Sequence, residues 1–531
     1  MEEKRVCVVG AGISGLTTCK HLVERGFRPV VFEAEGVVGG LWNRTMTSTR
    51  LQTPYWDYRF SDHPWSEKLR ETFPNGGQVA EYVASYARRF DLLRHVRFGE
   101  RVVSLKYVGA SDVEMEGWDS WAATSSAFGR GDRRGEWHVT VLREVDETEA
   151  VHVMDFVVLC IGRFSGMPNI PTFPLQKGPE VFHGKVIHSM DYSNMGSAAA
   201  AQLVKGKRVV VVGFLKSAVD IAAECANLNG LSCPCTMVVR TKRWNLPSLA
   251  AWGIPLKYFY FTRFGELFFH KPREGLFSWV LATLLSPLVW IISKLAESYY
   301  KKTIPMHKYG MVPEHSFFQA LSSCLLCILP CRFYDMVKQG SIVLKPSNTF
   351  KFCQRGIVID GQNSPIDADL VIFATGYRGD QKLKNIFVSP WFQKIVTDSQ
   401  GNIVPLYREC IHPQIPQMAI IGYTESMSNL HTSEMCARWL ACFLHGNFKL
   451  PSKRCMEKVV REWVKQTRRH SKIKSRGSCI STLHIWKNDQ LLNDMGCNPR
   501  RKKGKLANWF LPYSPEDYAE IEYKDEKKIV H

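Results

Sequence analysis

Val6-Cys-Val-Val-Gly10-Ala11-Gly12-Ile13-Ser14-Gly15 and Val209-Val-Val-Val-Gly213-Phe214-Leu215-Lys216-Ser217-Ala218 are two apolar runs, each ending in a glycine-bearing turn that opens a helix. In the first, Gly10 and Gly12 let the backbone approach a pyrophosphate, and Gly15 lets the helix pack close to its strand. The helix N-terminus adds unpaired N–H groups and a positive dipole end, so phosphate is the natural guest. A second apolar strand, Pro29-Val-Val-Phe-Glu33, ends in an acid 18 residues after Gly15. A carboxylate there accepts hydrogen bonds from ribose hydroxyls and repels a 2′-phosphate, which fits FAD or NAD and not NADP. In the second turn Phe214, Leu215 and Lys216 replace the middle glycine and its neighbours. A side chain there limits backbone approach to the pyrophosphate, while Lys216 brings charge. The strand Thr236-Met-Val-Val-Arg240 then runs into Thr241-Lys242-Arg243, where the first block has its acid. Basic groups at that place pair with the 2′-phosphate of NADP. The chain is therefore expected to hold two dinucleotides.

The fold class that follows is α/β, with two Rossmann-like dinucleotide-binding domains, one for FAD and one for NADP. Residues 1–165 form the first part of the FAD domain and 166–345 the NADP domain, with an apolar insertion at 275–330. Residues 346–531 return to the FAD domain and end in a basic tail. In the first block, Val79, Tyr82, Val83, Tyr86 and Phe90 predict an amphipathic helix over Gly77 to Leu93, and Ser111 to Gly135 reads as a polar surface loop. Pro168 and Pro171 mark the crossover. In the third block, Ala368-Asp-Leu-Val-Ile-Phe373 enters Ala374-Thr375-Gly376-Tyr377, small residues that let the backbone pass close to a cofactor. A helix is expected from Thr432 or Ser433, with Met435, Trp439, Leu440 and Phe443 on one face and its positive end toward the flavin.

With 531 residues the chain exceeds one compact core, and its net charge of +19 is partly local. Lys453 to Arg476 carries ten Lys or Arg, and Arg500-Arg-Lys-Lys-Gly-Lys505 five more. These read as solvated basic surfaces; no aromatic-interleaved RNA-binding pattern accompanies them, and no nucleic-acid partner is expected. The sixteen cysteines read as reduced buried thiols, and Cys324-Leu-Leu-Cys327 with Cys331 as packing in a buried helix, with no metal site. The first strand starts near Arg5, which leaves no room for a secretory signal and points to the cytoplasm. Gly275 to Ser293 is nineteen uncharged residues with Pro287 near its middle. A span there would put the two glycine turns on opposite sides of a bilayer, so a buried or membrane-touching hairpin helix is expected. Peripheral membrane contact through 275–330, and with it association with the endoplasmic reticulum, stays open. The oligomeric state is not legible.

Phe182-His-Gly184-Lys-Val-Ile-His188-Ser-Met-Asp-Tyr192 stands just before the second turn. It matches the FxGxxxHxxxY pattern of the flavin-containing monooxygenases, which the chain resembles over nearly its whole length. Gly39-Gly40-Leu41-Trp42 is similar to that family's GGxW segment beside the flavin, and Phe373 to Tyr377 to its ATGY segment. Within the family it is most similar to the plant subgroup that hydroxylates the amine of pipecolate in systemic immunity. The segments that carry this are Tyr58 to Trp65, Gly213 to Asp220, Leu406-Tyr-Arg408 and Ser428-Asn-Leu-His431-Thr-Ser-Glu434. The resemblance implies FAD and NADPH as cofactors, with O2 and a small amine or sulfur compound as substrates. Oxygen would pass to the soft nucleophile through a C4a-hydroperoxyflavin. The FAD site is then Gly10, Ala11, Gly12, Ile13, Ser14, Gly15, Glu33, Gly40, Leu41 and Trp42, joined by Ala374, Thr375 and Gly376. The NADP site is Gly213, Phe214, Leu215, Lys216, Ser217, Ala218 and Arg240.

The family places an asparagine after a Leu-x-Thr segment, whereas Leu51-Gln52-Thr53-Pro54 has proline, so either Gln52 or another donor substitutes or the peroxyflavin is short-lived. Arg408 and His431, in subgroup segments of the flavin domain, are the other candidate catalytic residues. Auxin-forming and S-oxygenating members are alternatives, as is a weakly active flavoprotein that acts as a membrane-associated binding partner. A disulfide reductase would need a redox cysteine pair beside the flavin. A Baeyer–Villiger enzyme usually ends the pattern in Trp or Pro where Tyr192 stands.

Overall fold

A computed structural model describes residues 4–119, 121, 127–128, 135–398, 403–471 and 479–522. About half of the expected 111–135 loop and the end of the Lys453 to Arg476 run lie outside the described residues, as do residues 523–531 of the tail. A short helix, Asp112–Gly117, occupies the start of that loop, capped by Ser111.

The chain first lays down β1 (Val6–Val9), α1 (Ile13–Glu24), β2 (Val30–Glu33), α2 (Gly76–Arg89), β3 (Val96–Phe98) and β4 (Phe156–Leu159). It crosses over once and builds β5 (Lys185–His188), β6 (Val209–Val212), α3 (Lys216–Asn229), β7 (Cys235–Val239), α4 (Leu276–Thr303), α5 (Phe317–Ser322), β8 (Ile342–Pro346) and β9 (Leu370–Phe373). It then returns to make β10 (Met418–Ile420) and α6 (Asn429–His445). Two five-stranded sheets result, ordered β10-β4-β1-β2-β3 and β8-β7-β6-β9-β5. Every pairing in both is parallel. Val-rich β1, β4 and β6 are buried on both faces, as strands covered by helices on each side must be.

The sheet order moves one expected boundary. β9, read from sequence as the return to the FAD domain after residue 345, lies between β6 and β5 in the second sheet. The first sheet regains the chain only at β10, which pairs with β4. A strand's sheet is decided by which edge it pairs with, and its own apolar pattern carries no such information.

Helix α2 starts where its periodicity predicts it but ends at Arg89, with Phe90 as its C-cap, short of the expected Leu93. Asn75 caps it through Gln78, and Val79, Tyr82, Val83 and Tyr86 are buried. Helix α6 starts earlier than expected, at Asn429, with Ser428 as its cap. Nearly all its side chains are buried, and it lies along α1. Helix α4 is one continuous helix through Pro287 and not a hairpin, and most of its surface is exposed.

The cysteine reading needs two corrections. Cys324 forms a disulfide with Cys479, so not every thiol is reduced. The segment after α5 is also not helical: Cys327–Ile328 pairs as a short strand with Asn245–Leu246. A Cys-x-x-Cys spacing gives no sign of a partner 155 residues away.

Candidate functional site

The turn after β1 is built as its glycines require. Gly10 sits at φ +100°, and a Cβ there would meet the Cys160 carbonyl oxygen at 2.8 Å. A Cβ on Gly15 would lie 1.7 Å from the Gly10 carbonyl oxygen, so α1 packs against its own turn only with glycine at this place. Gly12 differs: its φ is ordinary, and its Cβ would meet Gly40 Cα at 3.7 Å, a normal contact. The glycine there serves the space in front of it. Ala11 donates its backbone N–H to Glu33 Oε2 at 2.6 Å, which ties the acid at the end of β2 to the turn. Burial raises the Glu33 carboxyl above its ordinary value, opposed by the Ala11 hydrogen bond. Gly40, at φ +56°, brings the Gly40–Trp42 segment against Gly12. Turn, acid and glycine-lined approach fit the pyrophosphate and ribose of FAD.

A cleft of about 1680 Å³ runs from Leu41 and Trp42 to the second turn, while the Gly10–Gly15 turn and Glu33 lie outside its lining. That is larger than the roughly 300–1,000 Å³ typical of one small-molecule site. Leu41 and Trp42 line one wall, and Gly213, Phe214, Leu215, Lys216, Ser217 and Arg240 another. The replaced middle glycine is tolerated because Leu215 has the extended backbone of a helix N-cap, φ −113°. Phe214 is buried in the second core, and its carbonyl accepts a hydrogen bond from Asn245 Nδ2. Lys216 Nζ is 2.8 Å from Asp220 Oδ1, one helical turn on. Thr49 Oγ1 donates to the other carboxylate oxygen of Asp220 at 2.8 Å. Burial raises the Asp220 carboxyl, opposed by Lys216 and Thr49. Lys216 thus reaches the cleft already paired, and Asp220, which lines the cleft, is a site residue beyond those expected from the sequence. The i, i+4 spacing of Lys216 and Asp220 on a predicted helix was the available signal. Arg240 is exposed at the end of β7, where Thr241, Ser347 and Asn348 also border the cleft.

The Ala374-Thr375-Gly376 turn lines the same cleft, from β9 of the second sheet and not from the first. A Cβ on Gly213 would meet the Ala374 carbonyl oxygen at 2.5 Å, so the close backbone approach here is between the two turns. Asn169, in the crossover, receives a hydrogen bond from Thr375 and donates one back at 3.1 Å. The Phe182 to Tyr192 pattern supports this corner. His188 ends β5 and accepts from Met190 N at 3.1 Å through Nδ1, and its ring lies 5.5 Å from that of Tyr377. A Cβ on Gly184 would strike the Asp369 carbonyl oxygen at 2.6 Å, and Tyr192 is buried in the second core. Burial lowers the His188 pKa.

Three segments meet over the cleft. Gln52 Oε1 accepts from Ile328 N at 2.8 Å, and Thr53 Oγ1 donates to the Met427 carbonyl at 2.7 Å. All four residues line the cleft, with Ser426, Asn429 and Cys324. With its oxygen engaged, Gln52 keeps its amide N–H groups as its remaining hydrogen-bonding capacity.

The other two expected catalytic residues lie elsewhere. Arg408 holds Asp494 at 2.7 and 3.0 Å and also contacts Gln490. His431 is buried at α6, with Nδ1 3.7 Å from Glu434 and its ring 4.9 Å from that of Tyr518. Neither borders the cleft, and both fasten α6 and the C-terminal helices to the first domain. Sequence proximity to a subgroup segment marked these positions, but not the direction of their side chains. Lys382 was also missed. Its Nζ donates to the Ile161 carbonyl and to Ser165 Oγ, and burial lowers its pKa to about 8 against the raising effect of Glu33. It is a cation beside the first turn.

The sequence profile of the family described as "Flavin-binding monooxygenase-like" matches residues 3–507. "Probable flavin-containing monooxygenase 1" of Arabidopsis thaliana is 39% identical over 98% of this chain and 96% of its own. "Flavin-containing monooxygenase 3" of Canis lupus familiaris is 26% identical, covering 93% of this chain and 83% of its own. Among solved structures, S-allyl-L-cysteine S-oxygenase from Allium sativum superposes with a TM-score of 0.57 at 18% identity, covering 93% of this chain and 88% of its own. The OTEMO complex with FAD and NADP gives 0.58 at 18% identity, covering 83% and 85%. At these identities the solved structures speak for the fold alone.

Proposed function

The chain belongs to the flavin-binding monooxygenase-like family and is an NADPH-dependent flavin monooxygenase using FAD and O2; from that premise we propose that it N-hydroxylates a small amine such as pipecolate. The redox and oxygen-activating chemistry is that of FAD, with NADPH as electron donor. The protein's part is to hold, orient and keep dry. The Gly10–Gly15 turn, Glu33 and Gly40–Trp42 would hold FAD. Gly213 to Ala218 and Arg240 would hold NADPH, with Ala374–Gly376 packed against their turn. The Ile328 and Met427 contacts with Gln52 and Thr53 hold three segments together at the cleft, where they would help keep water from the substrate.

The observation that carries the reading is the common cleft, which borders Leu41 and Trp42 on one side and Gly213 to Ser217 with Arg240 on the other, and has room left over. Its substrate end combines apolar Leu51, Leu326, Ile328 and Met427 with the amides of Gln52 and Asn429. That lining suits a compact, largely apolar amine with a polar handle. Likeness to the plant subgroup supports pipecolate and a role in plant defence. Peripheral attachment to a membrane from the cytoplasmic side, with the endoplasmic reticulum as compartment, belongs to the same reading. S-oxygenation is the second reading, since the cleft would also admit a thioether.

The test is mass spectrometry of products from FAD-loaded protein, NADPH and O2 with pipecolate, tryptamine and a thioether supplied separately. An N-hydroxylated pipecolate, absent without NADPH, is expected. Sulfoxide alone would replace the amine with sulfur, and hydrogen peroxide without organic product would reduce the protein to an NADPH oxidase.

A further inference from the structure

Residues 46–53 run between the two cores and are fastened to both. Leu51 is buried in the first core, its N–H donates to the Pro74 carbonyl at 2.8 Å, and the Thr49 carbonyl accepts from Gly76 N at 2.9 Å at the start of α2. Met46 is buried in the second core. Three consecutive hydroxyls then meet helices of the second half. Thr47 Oγ1 lies 2.8 Å from Ser197 Oγ, at the start of the helix Ser197–Val204. Ser48 Oγ donates to Glu224 Oε2 at 3.2 Å, and Thr49 Oγ1 donates to Asp220 Oδ2 at 2.8 Å. Asp220 and Glu224 stand one turn apart on α3. The segment ends in Gln52 and Thr53, which hold Ile328 and Met427 at the cleft.

Of these anchors, Asp220 also holds the second glycine turn. Its side chain is 4% exposed; Oδ1 accepts from Lys216 Nζ at 2.8 Å while Oδ2 accepts from Thr49. Lys216 opens α3 and borders the cleft with its side chain 23% exposed, so a phosphate at this helix N-terminus meets its ammonium. An ammonium has three N–H donors and can hold a phosphate with one while another stays on a carboxylate. As the phosphate takes up part of the positive charge, the carboxylate relies more on its second donor, and a hydrogen bond to an ionised acceptor strengthens with the charge left on it. Lys216, Asp220 and Thr49 thus link the nucleotide turn to the 46–53 segment.

The consequence is one of placement. Nicotinamide and flavin must meet at near-attack distance, and a misplacement of about 1 Å costs on the order of a hundredfold in rate. Thr49 lies three residues before Gln52 and seven after Trp42, on the stretch that joins the cleft's Leu41–Trp42 wall to Gln52.

We propose that Asp220 and Thr49 are positioning residues: their contact sets the NADPH-holding turn against the 46–53 segment, and NADPH in that turn tightens the segment across the cleft. They act through Lys216 and the segment, not on the reacting atoms. The proposal rests on the assignment of NADPH to the second turn and is independent of the substrate.

The test uses the full-length, FAD-loaded protein with the variants Thr49→Val, Thr49→Ser and Asp220→Asn. In hydrogen exchange, NADP+ is expected to slow the amides of residues 46–53 in the wild-type protein by about fivefold or more, and by less than about twofold in Thr49→Val. In anaerobic mixing, the rate of flavin reduction at saturating NADPH should fall about tenfold in Thr49→Val and in Asp220→Asn with FAD content kept, and Thr49→Ser should recover it to within about twofold. The double variant Thr49→Val with Asp220→Asn should be no slower than the slower single variant, because both break one link. The proposal is overturned if NADP+ leaves the 46–53 amides of the wild-type protein unprotected, if Thr49→Val is reduced at the wild-type rate, if its loss lies only in the NADPH concentration required, or if the two substitutions add. Should Thr49→Val not retain FAD, Asp220→Asn carries the same readings. A wild-type flavin that NADPH never bleaches would overturn the nucleotide assignment and the proposal with it, whereas normal bleaching with unaltered variants overturns the positioning role alone.

Discussion

Gly12 and Gly15 are both glycine, for different reasons, and substitution separates them. Gly15→Ala places a Cβ 1.7 Å from a backbone oxygen and should destabilise the fold by about 3 kcal/mol or more, seen as loss of soluble protein or of its melting transition. Gly12→Ala meets only an ordinary contact and should cost within about 1 kcal/mol. Its methyl group nevertheless enters the pyrophosphate's path, so the folded protein should come away colourless. A yellow Gly12→Ala protein would count against the first-site assignment. Arg240→Glu should raise the KM for NADPH about tenfold or more and leave that for NADH nearly unchanged, because only NADPH carries a 2′-phosphate. Equal effects in steady-state kinetics would remove the phosphate argument. The strand-turn-helix patterns and their terminal residues were legible because spacing alone defines them. Arg408, His431 and Lys382 were misread or missed because their roles depend on partners distant in the chain.

Among elements, the helix His484–Asp494 depends on a buried acid from another segment. Glu266 accepts from Ile485 N at 2.8 Å and Trp486 N at 3.0 Å at its start. Burial raises the Glu266 pKa to about 7 from its ordinary 4.5, against the lowering effect of Lys271 and these N–H groups. The folded protein therefore binds the proton more tightly than the unfolded chain. Stability should fall as pH rises from about 4.5 to about 7 and then level off, an effect of up to about 3 kcal/mol for this group. Glu266→Gln keeps an acceptor for the helix and should flatten that slope in denaturant titrations at several pH values. An unchanged slope would place the titration elsewhere. Helices were read well where one face repeats, as in α2. β10 left no signal, because it is three residues long and its sheet lies more than 250 residues upstream. The disulfide between Cys324 and Cys479 was hidden for the same reason of distance.

At the scale of the molecule, one chain builds two five-stranded parallel sheets and, among the described residues, passes between them twice. The crossover near Asn169 and the Ala374–Gly376 turn are bonded to each other, so the two passages form one joint. Two glycine turns of like design make two nucleotide sites legible in the sequence, whereas the apolar pattern of β9 suits either sheet. The central claim is that an FAD and an NADPH meet across the cleft. Anaerobic mixing of the FAD-loaded protein with NADPH, followed at the flavin absorbance, tests it most directly. The yellow colour should bleach with NADPH, far more slowly with NADH, and return on admitting O2. A protein that stays colourless after reconstitution, or whose colour NADPH leaves untouched, would contradict it.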